Sequence, residues 1–354
     1  MIFKKLKLNK TSFANRIVVS AMCQYSGHKG CPTKWHYKHL GALMSSNAGA
    51  IFIESTAVNK QGMITHNDLA LYNDKQKQEF KKLIIHLKNI NDKIPIGMQI
   101  SHSGRKGSAN LPWVKRGIAL DKKEQAWLTV APSPIKRSDG WPIPKQLSLS
   151  QINKIKNDYK KTATFAKICG VDSLEVHMAH GYLLHEFMSP ISNQRTDLYG
   201  GNLRNRCRIL IEISKIIRKA WPANRSLGAR ITGTDNLKNG INTDDAVYLT
   251  RELEKIGFDY VCISSGGILP KTNMNFYKGF RKKIAKKIKS NTKLKIRTTG
   301  MLDNINIIEK GLKDKSFDFV AIGRAFLKNP RWIYQSVAKT KYKNLIPKQY
   351  IRGF

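Results

Sequence analysis

The chain has 354 residues, 41 % of them hydrophobic, with five cysteines and a formal net charge of +39. That apolar share supports a sizeable core and argues against disorder, while no window approaches the ~20 apolar residues of a membrane span and MIFKKLKLNK lacks the apolar stretch of a signal peptide. The scattered cysteines (Cys23, Cys31, Cys169, Cys207, Cys262) form no C-x-x-C pair, which disfavours disulfide frameworks and zinc or iron–sulfur knuckles and fits a reducing cytoplasm.

In chain order, eight short apolar, β-branched runs alternate with longer amphipathic stretches. The runs are RIVVSA (16–21), AGAIFIEST (48–56), IPIGMQIS (94–101), VDSLEVHMA (171–179), SLGARIT (226–232), FDYVCISS (258–265), KLKIRTTG (293–300) and FDFVAIGR (317–324). Between them TKWHYKHLGALMSSN, DKQKQEFKKLIIHLKNI, NLRNRCRILIEISKIIRKA and TDDAVYLTRELEKIG have helical spacing. Near-continuous apolar strands separated by helices predict a parallel sheet covered on its outer face, and eight such units predict a single (β/α)8 TIM barrel over 1–354. A doubly wound open sheet is disfavoured because no G-x-G-x-x-G follows the first strand. Residues 102–149, rich in Pro, Gly, Ser and Trp, interrupt the rhythm. Trp113, Trp127 and Trp141 suggest a packed lid rather than a linker. The positive charge runs through nearly every helix without a zinc-finger, RRM or KH pattern, so it reads as solvated helix faces rather than a nucleic-acid or membrane partner.

A barrel of this kind assembles its active site at the C-terminal strand ends. Those ends carry Cys23, Gln24 and Tyr25; Thr56 and Ala57; Gln99 and His102; His177 and His180; Arg230; Thr299 and Gly300; and Gly323 and Arg324. Glycines after strands seven and eight let backbone approach a phosphate, and Arg324 can grip it through two parallel hydrogen bonds. EVHMAHGYLLHEFMSP (175–190) places His177, His180 and His185 within nine positions. A metal site needs further converging ligands; His185 and Glu186 are predicted to run outward along the loop, and the other strand ends offer no carboxylate set, so no metal is expected. His177 and His180 share a face only if the chain bends after His177, which Gly181 permits; two N–H donors for one substrate oxygen then result, with the Tyr182 phenol as proton donor.

These motifs resemble the old yellow enzyme family of FMN-dependent ene-reductases, in particular its bacterial thermophilic-type and xenobiotic-reductase-like class. The similarity runs through SAMCQYS, ESTAVNKQGMIT, GMQISHSGRK, EVHMAHGYLLHEFMSPISNQRTDLYGGNLRNR, GARIT, TTGML, AIGRAFLKNP and QYIRGF. The resemblance implies a tightly but non-covalently bound FMN, with Gln99 and Arg230 on the polar ring edge and Ala21, Met22, Cys23, Ala57 and His177 lining the ring. Thr299, Gly300, Gly323 and Arg324 would hold the phosphate. His177 and His180 would grip the substrate carbonyl, Tyr25 and Tyr182 would flank it, and Cys23 would tune the flavin. Arg352, in the tail 341–354, would reach a neighbouring subunit's site, which implies a homo-dimer or homo-tetramer. Cys23, Tyr25 and Arg352 also fit a buried small side chain, a core aromatic and a frayed terminus, and Arg105 and Lys106 fit surface charge. Ser20-Ala21 stands where the family more often has a proline before its methionine, expected to affect loop stiffness rather than chemistry.

The implied activity is a ping-pong reduction of an α,β-unsaturated carbonyl compound with NADPH or NADH as transient reductant. Larger relatives that reduce dienoyl-CoA thioesters add cysteine-rich cluster motifs that this chain lacks. A dihydrouridine-synthase-like RNA-modifying flavin barrel would suit the charge but wants a catalytic cysteine in an Asn-x-Gly-Cys setting, also missing here. A metal-dependent barrel hydrolase and a non-catalytic basic binding protein are the remaining alternatives.

Overall fold

The computed structural model describes all 354 residues. Its centre is a ring of eight parallel strands: β1 (Ile17–Val19), β2 (Ala50–Ala57), β3 (Ile96–Ser101), β4 (Ser173–Met178), β5 (Ser226–Thr232), β6 (Tyr260–Ser264), β7 (Lys295–Thr298) and β8 (Phe319–Ile322). Each pairs with the next, and β8 pairs back onto β1 through Val320 and Ile17, which closes the barrel. Seven of the eight strands fall inside the runs expected from the sequence, and β2 overruns its run by one residue, Ala57.

The closed ring requires a helix to return the chain after each strand, and the amphipathic stretches supply them. They include α1 (Lys34–Met44), α2 (Asp74–Ile90), α3 (Leu149–Cys169), α4 (Arg208–Ala220), α5 (Thr243–Ile256), α6 (Lys282–Lys289) and α7 (Ile305–Lys313). Side-chain oxygens of Asn73, Ser148 and Asn242 accept from the free N–H groups of the first turns of α2, α3 and α5. The main core lies between strands and helices, as the period of two on β4 shows: Leu174, Val176 and Met178 face outward into it. Glu175 and His177 have the opposite parity and face the barrel axis.

The N-terminal end of the barrel is plugged. A hairpin of Leu6–Leu8 and Thr11–Phe13 places Leu6, Leu8 and Phe13 against Phe52, Tyr260 and Phe319. Above this plug, Glu175 is fully buried yet satisfied: it accepts from Gln99 Nε2 at 2.7 Å, from the Tyr260 hydroxyl at 3.0 Å and from Arg297 Nη2. The Arg297 guanidinium lies 4.6 Å from the Phe52 ring centroid and 4.8 Å from that of Tyr260, so aromatic faces replace water on its other side. The polar centre sits directly beneath the strand ends and fixes Gln99, which opens onto the site above.

Residues 102–148 carry little regular structure beyond one turn (Gly104–Lys106) and a short strand pair (Val130–Ala131 with Lys145–Gln146). The segment is nonetheless pinned. Arg105, expected on the surface, is buried, and its guanidinium donates to the Ile135 and Ile268 carbonyls at 3.1 and 2.9 Å. Trp141 is buried beside Ile64, Ala109 and Ala119, while Trp113 is exposed and edge-on to Tyr25 at 5.9 Å. The C-terminal residues Lys348–Gly353 form a last short helix on the outside of the barrel, where Tyr350 stacks near Arg331.

A buried pair broken on one side leaves an uncompensated charge. Arg297→Met should therefore cost about 3–5 kcal/mol in urea unfolding, and adding Glu175→Leu should restore part of that loss. If the two losses simply add, Glu175 and Arg297 do not neutralise each other.

Candidate active site

The strand β4 leaves the barrel through two consecutive left-handed residues, His180 at φ +62° and Gly181 at φ +70°. A side chain costs little at neither position, but at Gly181 it is excluded outright, because a Cβ would stand 2.1 Å from the Gly267 carbonyl oxygen. The bend turns the His180 ring back toward His177, with 5.0 Å between ring centroids. It is held from several sides. Lys106 Nζ donates to the His180 carbonyl at 2.7 Å, and the His180 N–H donates to Thr232 Oγ1 at 3.3 Å. The Gly181 N–H donates to His185 Nδ1 at 2.8 Å.

That last bond defines His185. Its residue run, expected to extend outward as a loop, is instead a buried short helix (Leu183–Met188). With Nδ1 accepting, the imidazole proton sits on Nε2, 3.0 Å from Asp235 Oδ1. Burial pushes the Asp235 carboxyl up, but His185, Ser189 and the Ile241 N–H outweigh it and hold the group ionised. His185 is a brace for the bend. No three His, Cys, Asp or Glu side chains converge as metal ligands anywhere in the chain.

Hydrogen bonding also orders the pair's protons. The Ala179 N–H donates to His177 Nδ1 at 3.2 Å, so the His177 proton lies on Nε2, facing His180 Nδ1 at 3.0 Å. The His180 proton then lies on Nε2, 2.5 Å from Ser264 Oγ. Burial, then the nearby Arg230, depresses the pKa of both rings well below the ordinary histidine value. Both are neutral donors, not cations.

These groups open onto a cavity of about 1000 Å³, at the upper end of the ~300–1,000 Å³ of small-molecule sites. Of the residues singled out from sequence, Ala21, Met22 and Cys23 line it from β1, Gln99 from β3, His177, His180 and Tyr182 from β4, and Arg230 from β5. Thr299, Gly300, Gly323 and Arg324 line it from the β7 and β8 loops. Gly300 has φ +125°, a conformation L side chains rarely adopt. Register explains one adjacency: Arg230 is paired directly with His177. Tyr25 lies outside the cavity wall and packs with Cys23 and Tyr182 on the Trp141 cluster. Ala57 does not line the cavity; Ser55, two residues earlier on β2, does. Arg352 is exposed at the C-terminus, outside its own chain's cavity.

Three residues went unnoticed in the sequence. Ser264 accepts from His180. Ser20 accepts from Arg230 Nη1 at 3.3 Å, so the segment expected to matter only for stiffness also touches the site. Arg281 lines the cavity from the segment before α6. Lys106, also expected on the surface, is partly buried against the bend; desolvation, then Arg137, pushes its ammonium down to about 7. Single hydroxyl and cationic residues at strand ends and in loops carry no periodic signal that would have marked them.

The cavity wall holds Arg230, Arg281, Arg324 and Lys328 against one acid, Asp303, which already stands 3.5 Å from Lys278. Arg230 Nε is buried with no partner at all. So cationic a wall, with a strained glycine turn beside it, fits a ligand bearing a phosphate and a polar ring edge. FMN is such a ligand.

The closed barrel and this site define a flavin-dependent oxidoreductase. The chain belongs to the NADH:flavin oxidoreductase / NADH oxidase family, whose model matches residues 1–344. It is 34 % identical to an NADH:flavin oxidoreductase of Gibberella zeae over 93 % of this chain and 83 % of that one. It is 31 % identical to an NADPH dehydrogenase of Bacillus subtilis over 100 % of this chain and 99 % of the relative. A Clostridium acetobutylicum NADPH dehydrogenase is 32 % identical over the same shares. Among solved structures, morphinone reductase in complex with tetrahydroNAD shares the fold (TM-score 0.78, 23 % identity, 96 % of this chain and 92 % of that one). A 2-naphthoyl-CoA reductase complex also shares it (TM-score 0.84, 22 % identity), with 93 % of this chain matching 51 % of that longer one. The chain is thus an FMN-dependent NADH or NADPH oxidoreductase of the old yellow enzyme type.

A neutral buried histidine has a pH signature. Its folded pKa lies below the unfolded ~6.5, so the unfolded chain binds more protons as pH falls and stability drops with it. Lowering pH from about 7 to about 5 should therefore destabilise the protein, by up to ~1.4 kcal/mol per pH unit for each such ring. In His177→Asn/His180→Asn, urea unfolding should show a shallower dependence; an unchanged slope means the pair is protonated in the folded state.

Proposed function

We propose that this protein is an ene-reductase, which reduces the activated C=C bond of α,β-unsaturated carbonyl compounds. When bound, FMN supplies the hydride chemistry, accepting hydride from NAD(P)H and delivering it to an alkene. The observation that carries the reading is the His177–His180 pair beside Tyr182 at the mouth of a phosphate-compatible cavity.

His177 Nε2 and His180 Nδ1 stand 3.0 Å apart and bond to each other, so a carbonyl oxygen that contacts both rings does so from the cavity side and replaces that bond. One proton lies between the two nitrogens. Two donors to the oxygen therefore require the His180 proton to move to Nδ1, with the Ser264 hydroxyl turning from acceptor to donor at Nε2. Neutral donors aimed at the oxygen withdraw electron density and stabilise the enolate that develops as the β-carbon is reduced. Tyr182 lies 4.9 Å from the His177 ring, and burial, then Cys23, raises its pKa far above the ordinary phenol value. The phenol thus keeps its proton at neutral pH and holds it for the α-carbon. Lys106 Nζ stands 5.0 Å from the Tyr182 ring centroid and fixes its approach.

On the cofactor side, Gln99 and Arg230 bind the polar edge of the ring, with Met22, Cys23 and Ala21 along it. Burial, then Asp68 and Glu54, lifts the Cys23 thiol well above its usual pKa, so it meets the cofactor as a neutral SH. Arg324 and the glycine loops take the phosphate. Nicotinamide and substrate use the same face in turn, which needs no dinucleotide fingerprint. Residues 102–149 form the lid. Exposed Arg352 serves a neighbouring subunit, in a homo-dimer or homo-tetramer in a reducing cytoplasm, with no nucleic-acid or membrane partner.

Purified protein should be yellow, bleach with NADPH under anaerobic conditions and recover its colour with 2-cyclohexenone. Tyr182→Phe should slow recovery by about 10²–10⁴-fold while leaving bleaching nearly unchanged. A protein that bleaches but is not reoxidised by any enone would overturn the substrate class, and equal slowing of both halves would remove Tyr182 from the proton step.

A further inference from the structure

We propose that Arg281 is a second cation for the cofactor's phosphate, so that the phosphate is held between two guanidiniums, Arg281 and Arg324, while Arg230 serves the ring. The inference rests on the flavin reading and concerns how this chain in particular achieves it.

Arg281 is fixed in place by neutral partners. Its Nε donates to Ser265 Oγ at 2.8 Å and its Nη1 to Thr299 Oγ1 at 2.8 Å, while Phe280 stacks on the guanidinium at 4.4 Å. Those contacts hold the group at the wall of the cavity it lines without pairing it with a carboxylate. Burial, then Arg230, pushes its pKa down to about 9, with Arg324 adding to the repulsion. Such crowding of like charges is relieved when an anion enters.

Position separates phosphate from ring. Thr299, the Arg281 partner, adjoins the Gly300 turn after β7, and the Gly279 N–H donates to the Gly300 carbonyl at 2.8 Å, tying the Arg281 segment to that turn. Loops after the seventh and eighth strands are where barrels of this kind build phosphate sites. Arg230 stands on β5, paired in register with His177, and is assigned to the ring by that neighbour. The count also matches: a phosphate monoester carries nearly two negative charges at neutral pH, and a reduced flavin ring edge one more.

The test compares two flavins that differ only in the phosphate. Full-length protein freed of flavin is titrated with FMN and with riboflavin, following flavin fluorescence, in wild type, Arg281→Gln and Arg281→Lys. Arg281→Gln should weaken FMN binding by about ten- to a hundredfold and riboflavin binding by less than about threefold, with Arg281→Lys in between. Inorganic phosphate should raise the Tm of flavin-free wild type and not that of Arg281→Gln, which also shows that the variant is folded. Equal losses for both flavins, or no loss for FMN, would overturn the assignment. A wild type that binds neither flavin would instead count against the flavin reading itself.

Discussion

Everything at this site depends on one backbone event, the left-handed bend at His180 and Gly181. A strand alternates its side chains, so residues three apart face opposite ways, and an extended continuation would have pointed His180 away from His177. Two successive residues at positive φ reverse that outcome. The bend is costly, since His180 carries a Cβ, and its cost of order 1 kcal/mol is offset by packing on Gly267 and by bonds from Lys106, to Thr232 and to His185. The third histidine of the motif thereby acquires a role that involves neither metal nor substrate.

A second constraint is electrostatic. The barrel separates its charges by depth: Glu175 and Arg297 neutralise each other under the floor, and the histidines above them stay neutral. At the cavity wall, by contrast, three arginines face a ligand rather than a carboxylate. Binding a dianion there stabilises the folded protein as well as filling the site, which links cofactor content to stability.

The architecture was legible because barrel strands broadcast it. Continuous apolar runs such as AIFIE and VCIS, each followed by an amphipathic stretch, leave little choice of layer arrangement, and all eight strands fall where the runs lie. The strand-end residues followed from that placement. What stayed hidden depends on distant partners. Ser264 acquires its role from a ring 84 positions away, and Arg281 from two hydroxyls on neighbouring loops. Arg105 and Lys106 look like solvated charge in one dimension; the excursion folds back, burying Arg105 and partly covering Lys106. On β2 the cavity wall is formed by Ser55, while Ala57, two residues further on, packs with Met63 and Ala70.

The bend itself can be tested with one methyl group. In Gly181→Ala the new Cβ would collide with the Gly267 carbonyl, so the turn must open and carry His180 away from His177. The variant should keep its flavin but lose at least about tenfold in affinity for 2-cyclohexenone, measured in the reoxidation half-reaction by stopped flow. Gly181→Ala protein that retains flavin and binds the enone as tightly as wild type would contradict the claim that this bend builds the substrate grip.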